Sequence, residues 1–141
     1  MHIAIGSDAK TELTDNVIQY LTCQGHQVTL FGALQTPASD RWVELAQETA
    51  AFVSTGKADR GILFCWSGTG VSTAANRIKG ARAALCWNTE IARLARKWND
   101  SNILCMALVD TQLDLAKAMI EVFLNTEFDE EGFNEAYKLD E

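Results

Sequence analysis

The chain has 141 residues, 48% of them apolar, which suits one domain with a real core and is too short for two. Nineteen acidic residues against twelve basic leave a net charge of −7, which argues against nucleic acid and anionic membrane as partners because both are held through basic patches. A small anionic ligand held by a few local donors stays compatible with that balance.

The elements alternate along the chain. His2–Gly6 reads as a buried strand entering the turn Ser7-Asp8-Ala9-Lys10. Leu13, Val17, Tyr20 and Leu21 recur near helical spacing, predicting a helix over Thr11–Cys23 that stops at Gly25. Gln27–Phe31 is a second strand. Ser39 is a candidate N-cap for a helix from Asp40 to about Ser54, followed by Gly56. Gly61–Cys65 is a third strand, and the loop Trp66-Ser67-Gly68-Thr69-Gly70 leads into a helix over Val71–Lys79. Ala81–Cys86 reads as strand four, Thr89–Lys97 as a helix and Ile103–Leu108 as strand five. Thr111 is placed to cap a last helix over Gln112–Asn125, and an acidic tail over 129–141 ends the chain.

This rhythm predicts an α/β chain of Rossmann-like type: one domain over 1–128, a three-layer α/β/α sandwich around a five-stranded parallel sheet. Ligands of such sheets bind at the carboxyl ends of the strands. The candidate site is therefore the loops after strands one, three and four, with the helix start after Asn88 and the turn Trp98–Asn102. No apolar run reaches the length of a membrane span, and the N-terminus carries no leader pattern. Cys23, Cys65, Cys86 and Cys105 form no CxxC pair, so zinc and redox motifs are absent. The expectation is a cytoplasmic protein.

In Cys65-Trp66-Ser67-Gly68-Thr69-Gly70-Val71-Ser72 a strand ends in a thiol and a small-residue loop opens a helix. Successive backbone N–H groups in such a loop can face an anion, and Gly68 and Gly70 admit a close ligand. The same segment also fits an ordinary strand-to-helix turn over a buried Cys. It has no Lys-Ser/Thr ending of a phosphate-binding P-loop and is not a Gly-x-Ser-x-Gly elbow. Neither His2 nor His26 falls near these loops, so a catalytic Cys65 needs activation by other means, such as the adjoining helix N-terminus.

Several long stretches in order resemble the ribose-5-phosphate isomerase type B and galactose-6-phosphate isomerase family. They are Ile3-Ala4-Ile5-Gly6-Ser7-Asp8, Gly56 through Cys65, Ala74-Ala75-Asn76-Arg77, Gly80 through Cys86, and Asn99-Asp100-Ser101-Asn102-Ile103-Leu104. The resemblance implies an aldose–ketose isomerase without metal or other cofactor, moving a proton between C1 and C2 through an enediolate. It implies Cys65 as base with Ser67 beside it. Amides of Gly68, Thr69, Gly70, Val71 and Ser72 would hold the enediolate oxygen, and Asp8 and Asn99 would meet substrate hydroxyls. It also implies a homodimer or homotetramer with sites at subunit interfaces.

The departures from the family cluster. Ala9 and Trp98 stand where the family has His, the latter assisting ring opening, and Trp87 where His is common. Trp66 replaces a small residue, and Val109 occupies a phosphate-binding Arg position. The tail has acidic residues and no Arg. Trp66, Trp87 and Trp98 are candidate sugar platforms, the alternative being core or interface residues. Lys10 and Arg41 are candidate anion donors, the alternative being solvated charges. The expectation is therefore an isomerase whose sugar or sugar-phosphate substrate differs from ribose 5-phosphate. The substrate would be a non-phosphorylated sugar or one whose anionic group is bound differently, and either another residue opens the ring or the sugar is already open-chain. A second expectation, from another class, is a non-catalytic sugar-binding or partner subunit of a heteromeric isomerase.

Overall fold

The apolar runs become neighbours in one sheet. The computed structural model describes residues 1–130 and 135–141. The strands are β1 (His2–Ser7), β2 (Gln27–Gly32), β3 (Arg60–Cys65), β4 (Ala83–Leu85) and β5 (Ile103–Ala107). The helices are α1 (Glu12–Cys23), α2 (Trp42–Ser54), α3 (Thr69–Ala75), α4 (Thr89–Asn99) and α5 (Leu113–Asn125), followed by a short 3-10 turn at Tyr137–Asp140. All strand pairs are parallel, in the order β2-β1-β3-β5-β4. This is the expected three-layer α/β fold.

The strands alternate faces, and each face has its own helices. Ile3, Ile5, Ile62, Phe64, Leu104 and Met106 pack with Val17, Leu21, Ala92, Met119 and Phe123, joining α1, α4 and α5. Ala4, Leu63, Cys65, Ile103 and Cys105 pack with Leu45, Ala46, Ala50, Val71 and Ala74, joining α2 and α3. This division follows from right-handed crossovers combined with reversals of direction across the sheet.

Several expected boundaries shift. Ser39 does not cap α2: its Oγ accepts from the Arg41 amide at 3.3 Å, and the helix opens at Trp42, two residues later than expected. Thr111 is not a cap either; Gln112 occupies that place without a side-chain bond. The third helix ends at Ala75 rather than Lys79, because Ile78 N–H turns to the Ala75 carbonyl and Gly80 is left-handed at φ +87°. β4 is shorter than expected and lies at one edge of the sheet. On its outer side, the Asn76 side chain accepts from Ala83 N–H at 2.8 Å and donates to the Ala83 carbonyl at 2.9 Å, substituting for a neighbouring strand.

Burial separates the thiols. It pushes the Cys86 thiol up to about 12 and raises that of Cys105, where Cys86 and Cys65 add to the effect. Cys23 is exposed, and Cys65 is buried at the loop edge. A raised pKa keeps a thiol protonated and unreactive. Iodoacetamide at pH 8 should therefore alkylate Cys23 in the folded protein and leave Cys86 and Cys105 unmodified until denaturant is added, as read by peptide mass spectrometry.

Candidate active site

The register of β1 on β3 builds the centre of the site. Ser7 pairs with Phe64, so Asp8 and Cys65 leave the sheet side by side from strands about 4.8 Å apart. Strand order also reverses here, since β2 lies on one side of β1 and β3 on the other. Loops leaving such a point diverge and open a crevice. Cys65 belongs to the packing layer of α2 and α3 and is 6% exposed.

Asp8 sits inside a turn that Ser7 sets: the Ser7 Oγ donates to the Ala9 carbonyl at 2.6 Å and accepts from the Ala9 amide at 3.2 Å. Burial raises the Asp8 pKa above the ordinary carboxylate value; a backbone hydrogen bond partly offsets this, and the nearby Asp40 carboxylate adds to the rise. Asp40 lies just before α2 and was not singled out by the sequence.

The loop after Cys65 is held by Gly68. Its φ is +75°, and a Cβ there would stand 2.6 Å from Leu85 Cδ1 and 3.0 Å from the Met106 carbonyl carbon. Only glycine fits both the conformation and the space. Ser67 and Thr69 hydroxyls bond each other at 2.7 Å, and Thr69 N–H reaches Ser67 Oγ at 3.4 Å. Gly70 and Val71 amides have no hydrogen-bond partner among the described residues, as first-turn amides do not. The Ser72 amide is engaged within the loop, donating to the Gly68 carbonyl at 3.4 Å.

The tryptophans divide. Trp66 is 68% and Trp87 63% exposed, on the loops after β3 and β4, so neither is a core residue. Val109 N–H bonds the Trp66 carbonyl at 3.1 Å, which brings exposed Val109 to the same rim. Trp98 and Asn99 do not join them. They end α4, which runs back across the sheet, and Gly61 N–H bonds the Asn102 carbonyl at the far edge. That edge is a strand's length from Cys65, about 13 Å. Asn99 there borders a groove of about 430 Å³ with Asn76, Arg82 and Ser101. Placing the Trp98–Asn102 turn with the Cys65 loops of the same chain is thus corrected: a helix between parallel strands ends at their amino edge.

The expected donors differ in freedom. Lys10 is tied to Asp15 at 2.7 Å, while exposed Arg41 is only 3.9 Å from Glu44 and borders a recess with Asp40 and Trp42. The acidic tail does not cover the Cys65 of its own chain where it is described. Asp129 reaches Lys97 at 3.5 Å and Asp140 reaches Arg82 at 2.8 Å, both at the far edge. Residues 131–134 of that tail, Glu131 among them, lie outside the described residues. The sequence missed Trp42, whose ring rests on Gly70; nothing in their spacing links the two.

Residues 3–141 match the profile of the Ribose/Galactose Isomerase family. The chain belongs to that family. Its relatives include D-erythrulose-4-phosphate isomerase of Pectobacterium atrosepticum, 34% identical over 94% of this chain and 88% of the relative. Another is 4-deoxy-4-sulfo-D-erythrose isomerase of a Clostridium species, 35% identical over 92% and 82%. Among solved structures, ribose-5-phosphate isomerase B of Clostridium thermocellum superposes with a TM-score of 0.91 at 34% identity, covering 99% of this chain and 95% of that one. The family is one of sugar-phosphate aldose–ketose isomerases, so the chain is an isomerase by class.

Replacing Gly68 by Ala forces a left-handed non-glycine residue against β5. The Gly68→Ala variant should lose at least about 1–2 kcal/mol of stability in urea unfolding, with a fall in isomerase turnover.

Proposed function

We propose that this isomerase acts on a short, open-chain sugar carrying an anionic group at its far end, with Cys65 as the base. The supporting observation is the pairing of Cys65 with Asp8 at the crevice while both histidines of the chain sit elsewhere. His2 Nε2 bonds Thr29 Oγ1 at 2.7 Å, and His26 Nδ1 meets the N-terminal amine at 3.1 Å, both at the amino edge of the sheet. No imidazole of the same chain stands ready to open a sugar ring.

In the aldose-to-ketose direction the Cys65 thiolate takes the C2 proton. The C–H electron pair forms the C1–C2 double bond, and the carbonyl pair moves onto O1 to give the enediolate. Gly70 and Val71 amides would stabilise that oxygen. Asp8 and Ser67 would move the hydroxyl proton from O2 to O1, and the Cys65 thiol returns its proton to C1. The steps balance without a cofactor.

A four-carbon sugar suits this site. With its C4 oxygen esterified or replaced, it has no hydroxyl to close a five-membered ring and needs no ring opening. The likeness to relatives named for erythrulose 4-phosphate and 4-deoxy-4-sulfo-erythrose supports that class. Arg41, weakly engaged by Glu44, is the donor proposed for the terminal anion. A homodimer or homotetramer would bring Trp98 and Asn99 of a second copy to the Cys65 crevice. The exposed Trp66, Trp87 and Val109 rim supports such a contact. Four free cysteines accord with a reducing cytoplasm. No described helix is long and apolar enough to cross a membrane, and the negative charge disfavours nucleic acid.

The test is turnover of D-erythrulose 4-phosphate and ribose 5-phosphate by the wild type and Cys65→Ala. The wild type should prefer the four-carbon substrate in kcat/KM, and Cys65→Ala should lower kcat by about 10²–10⁴-fold. Equal efficiency on ribose 5-phosphate overturns the substrate class. Unchanged turnover in Cys65→Ala overturns the base and favours a partner-subunit role.

A further inference from the structure

Gly70 is a glycine whose backbone does not call for one. It is absent from the left-handed positions of the chain, unlike Gly68 two residues before it. What crowds a side chain at this position is Trp42. A Cβ on Gly70 would lie 3.1 Å from Cε3 and 3.2 Å from Cζ3 of the indole, tighter than an ordinary contact. The benzo edge of Trp42 therefore seats directly on the loop that follows Cys65.

The rest of the ring has no such seat. Trp42 is 45% exposed at the first position of α2. Two further observations put that exposed surface at the crevice. The recess it borders also contains Asp40, whose carboxylate acts on Asp8 beside Cys65. Cys65 itself packs in the α2–α3 layer, and Trp42 is the first residue of α2. Trp42 thus stands between the Asp8 side and the Gly70 side of the same opening.

We propose that Trp42 is a substrate-stacking residue of the Cys65 site, its exposed indole face receiving the C–H face of the sugar chain beyond the reacting carbons. The proposal rests on the reading of Cys65 as the centre of the site. It also gives Gly70 a reason: the loop has to let the indole down far enough to border the bound carbons. Asp40 and Arg41, the residues immediately before it, then lie along the far part of the substrate. A purely structural Trp42 would act differently, by propping the loop, and its removal would disturb the amides and lower kcat rather than substrate affinity.

The experiment measures kcat and KM for D-erythrulose 4-phosphate in the wild type, Trp42→Ala, Trp42→Phe and Cys65→Ala, with melting temperatures for each. Trp42→Ala should raise KM about tenfold with kcat within about threefold of wild type, the scale of one lost aromatic contact. Trp42→Phe should recover most of that loss, since a smaller ring still offers a face. In the wild type, saturating D-erythrulose 4-phosphate should change the tryptophan fluorescence, and Trp42→Phe should remove most of that change. An unchanged KM in Trp42→Ala, or a fall in kcat and melting temperature without a rise in KM, overturns the stacking role while leaving Cys65 in place. Full turnover in Cys65→Ala, or none of this substrate in the wild type, instead removes the reading on which the stacking role rests.

Discussion

The parallel register in which Ser7 meets Phe64 governs the carboxyl edge of this sheet. It sets Asp8 beside Cys65 at the point where the chain turns to build the sheet in the other direction. A one-residue slip would turn every side chain of β3 to the opposite face, moving Cys65 out of the α2–α3 layer. The slip is opposed by the apolar alternation itself: Ile62 and Phe64 fill one core, Leu63 and Cys65 the other. Gly68 then constrains the next step, because the loop passes so close to β5 that no Cβ fits.

The amino edge is organised by charge. Asp100, left-handed at φ 49°, is held between Arg82 at 3.3 Å and Arg96 at 3.1 Å. Arg96, almost fully buried, also donates to the Ser101 and Thr126 carbonyls, which fixes the end of α4 against the end of α5. Asn102 accepts from the Arg82 amide and donates to the Gly80 carbonyl. The stretches around Asn76 and Asn99–Asn102, which carry much of the family resemblance, therefore act largely as brackets for β4 and β5. The tail is anchored at the same edge through Asp140 and Asp129. Part of the acidic surplus is thus spent on basic groups of the chain's own scaffold, and none of the described tail acids stands over its own Cys65. The constraint on a bound anion comes instead from which cations remain free at the carboxyl edge, where Lys10 is already committed to Asp15 and Arg41 is not firmly held.

Aromatic surface at the carboxyl edge is unusually open. Trp66 and Trp87 rise from the ends of β3 and β4, and Trp42 comes in from α2. Their positions differ in kind. Trp42 is partly seated on Gly70, whereas Trp66 and Trp87 stand clear at the rim. The first arrangement suits a ligand wall and the second a surface that another chain covers.

The sequence by itself determined the elements, the parallel class and the loop that follows Cys65. Each of these is local: strands show as short apolar runs, helices as periodic ones, and a thiol followed by small residues marks a strand-to-helix turn. Motif resemblance added Asp8 and Cys65 as site candidates, and the register sets the loops that carry them side by side. The caps at Ser39 and Thr111 misled because a Ser or Thr before a helix can bond nearby backbone without capping it, as Ser39 does to Arg41. Only the tertiary structure decided the strand order, the place of Trp98 and Asn99, and the contact of Trp42 with Gly70. The direction of a helix between parallel strands sends its end to the edge opposite the one where it began, and no spacing along the chain reports that. Likewise, Trp42 and Gly70 lie 28 positions apart in the chain, and they meet only because α2 and α3 pack on the same face of the sheet.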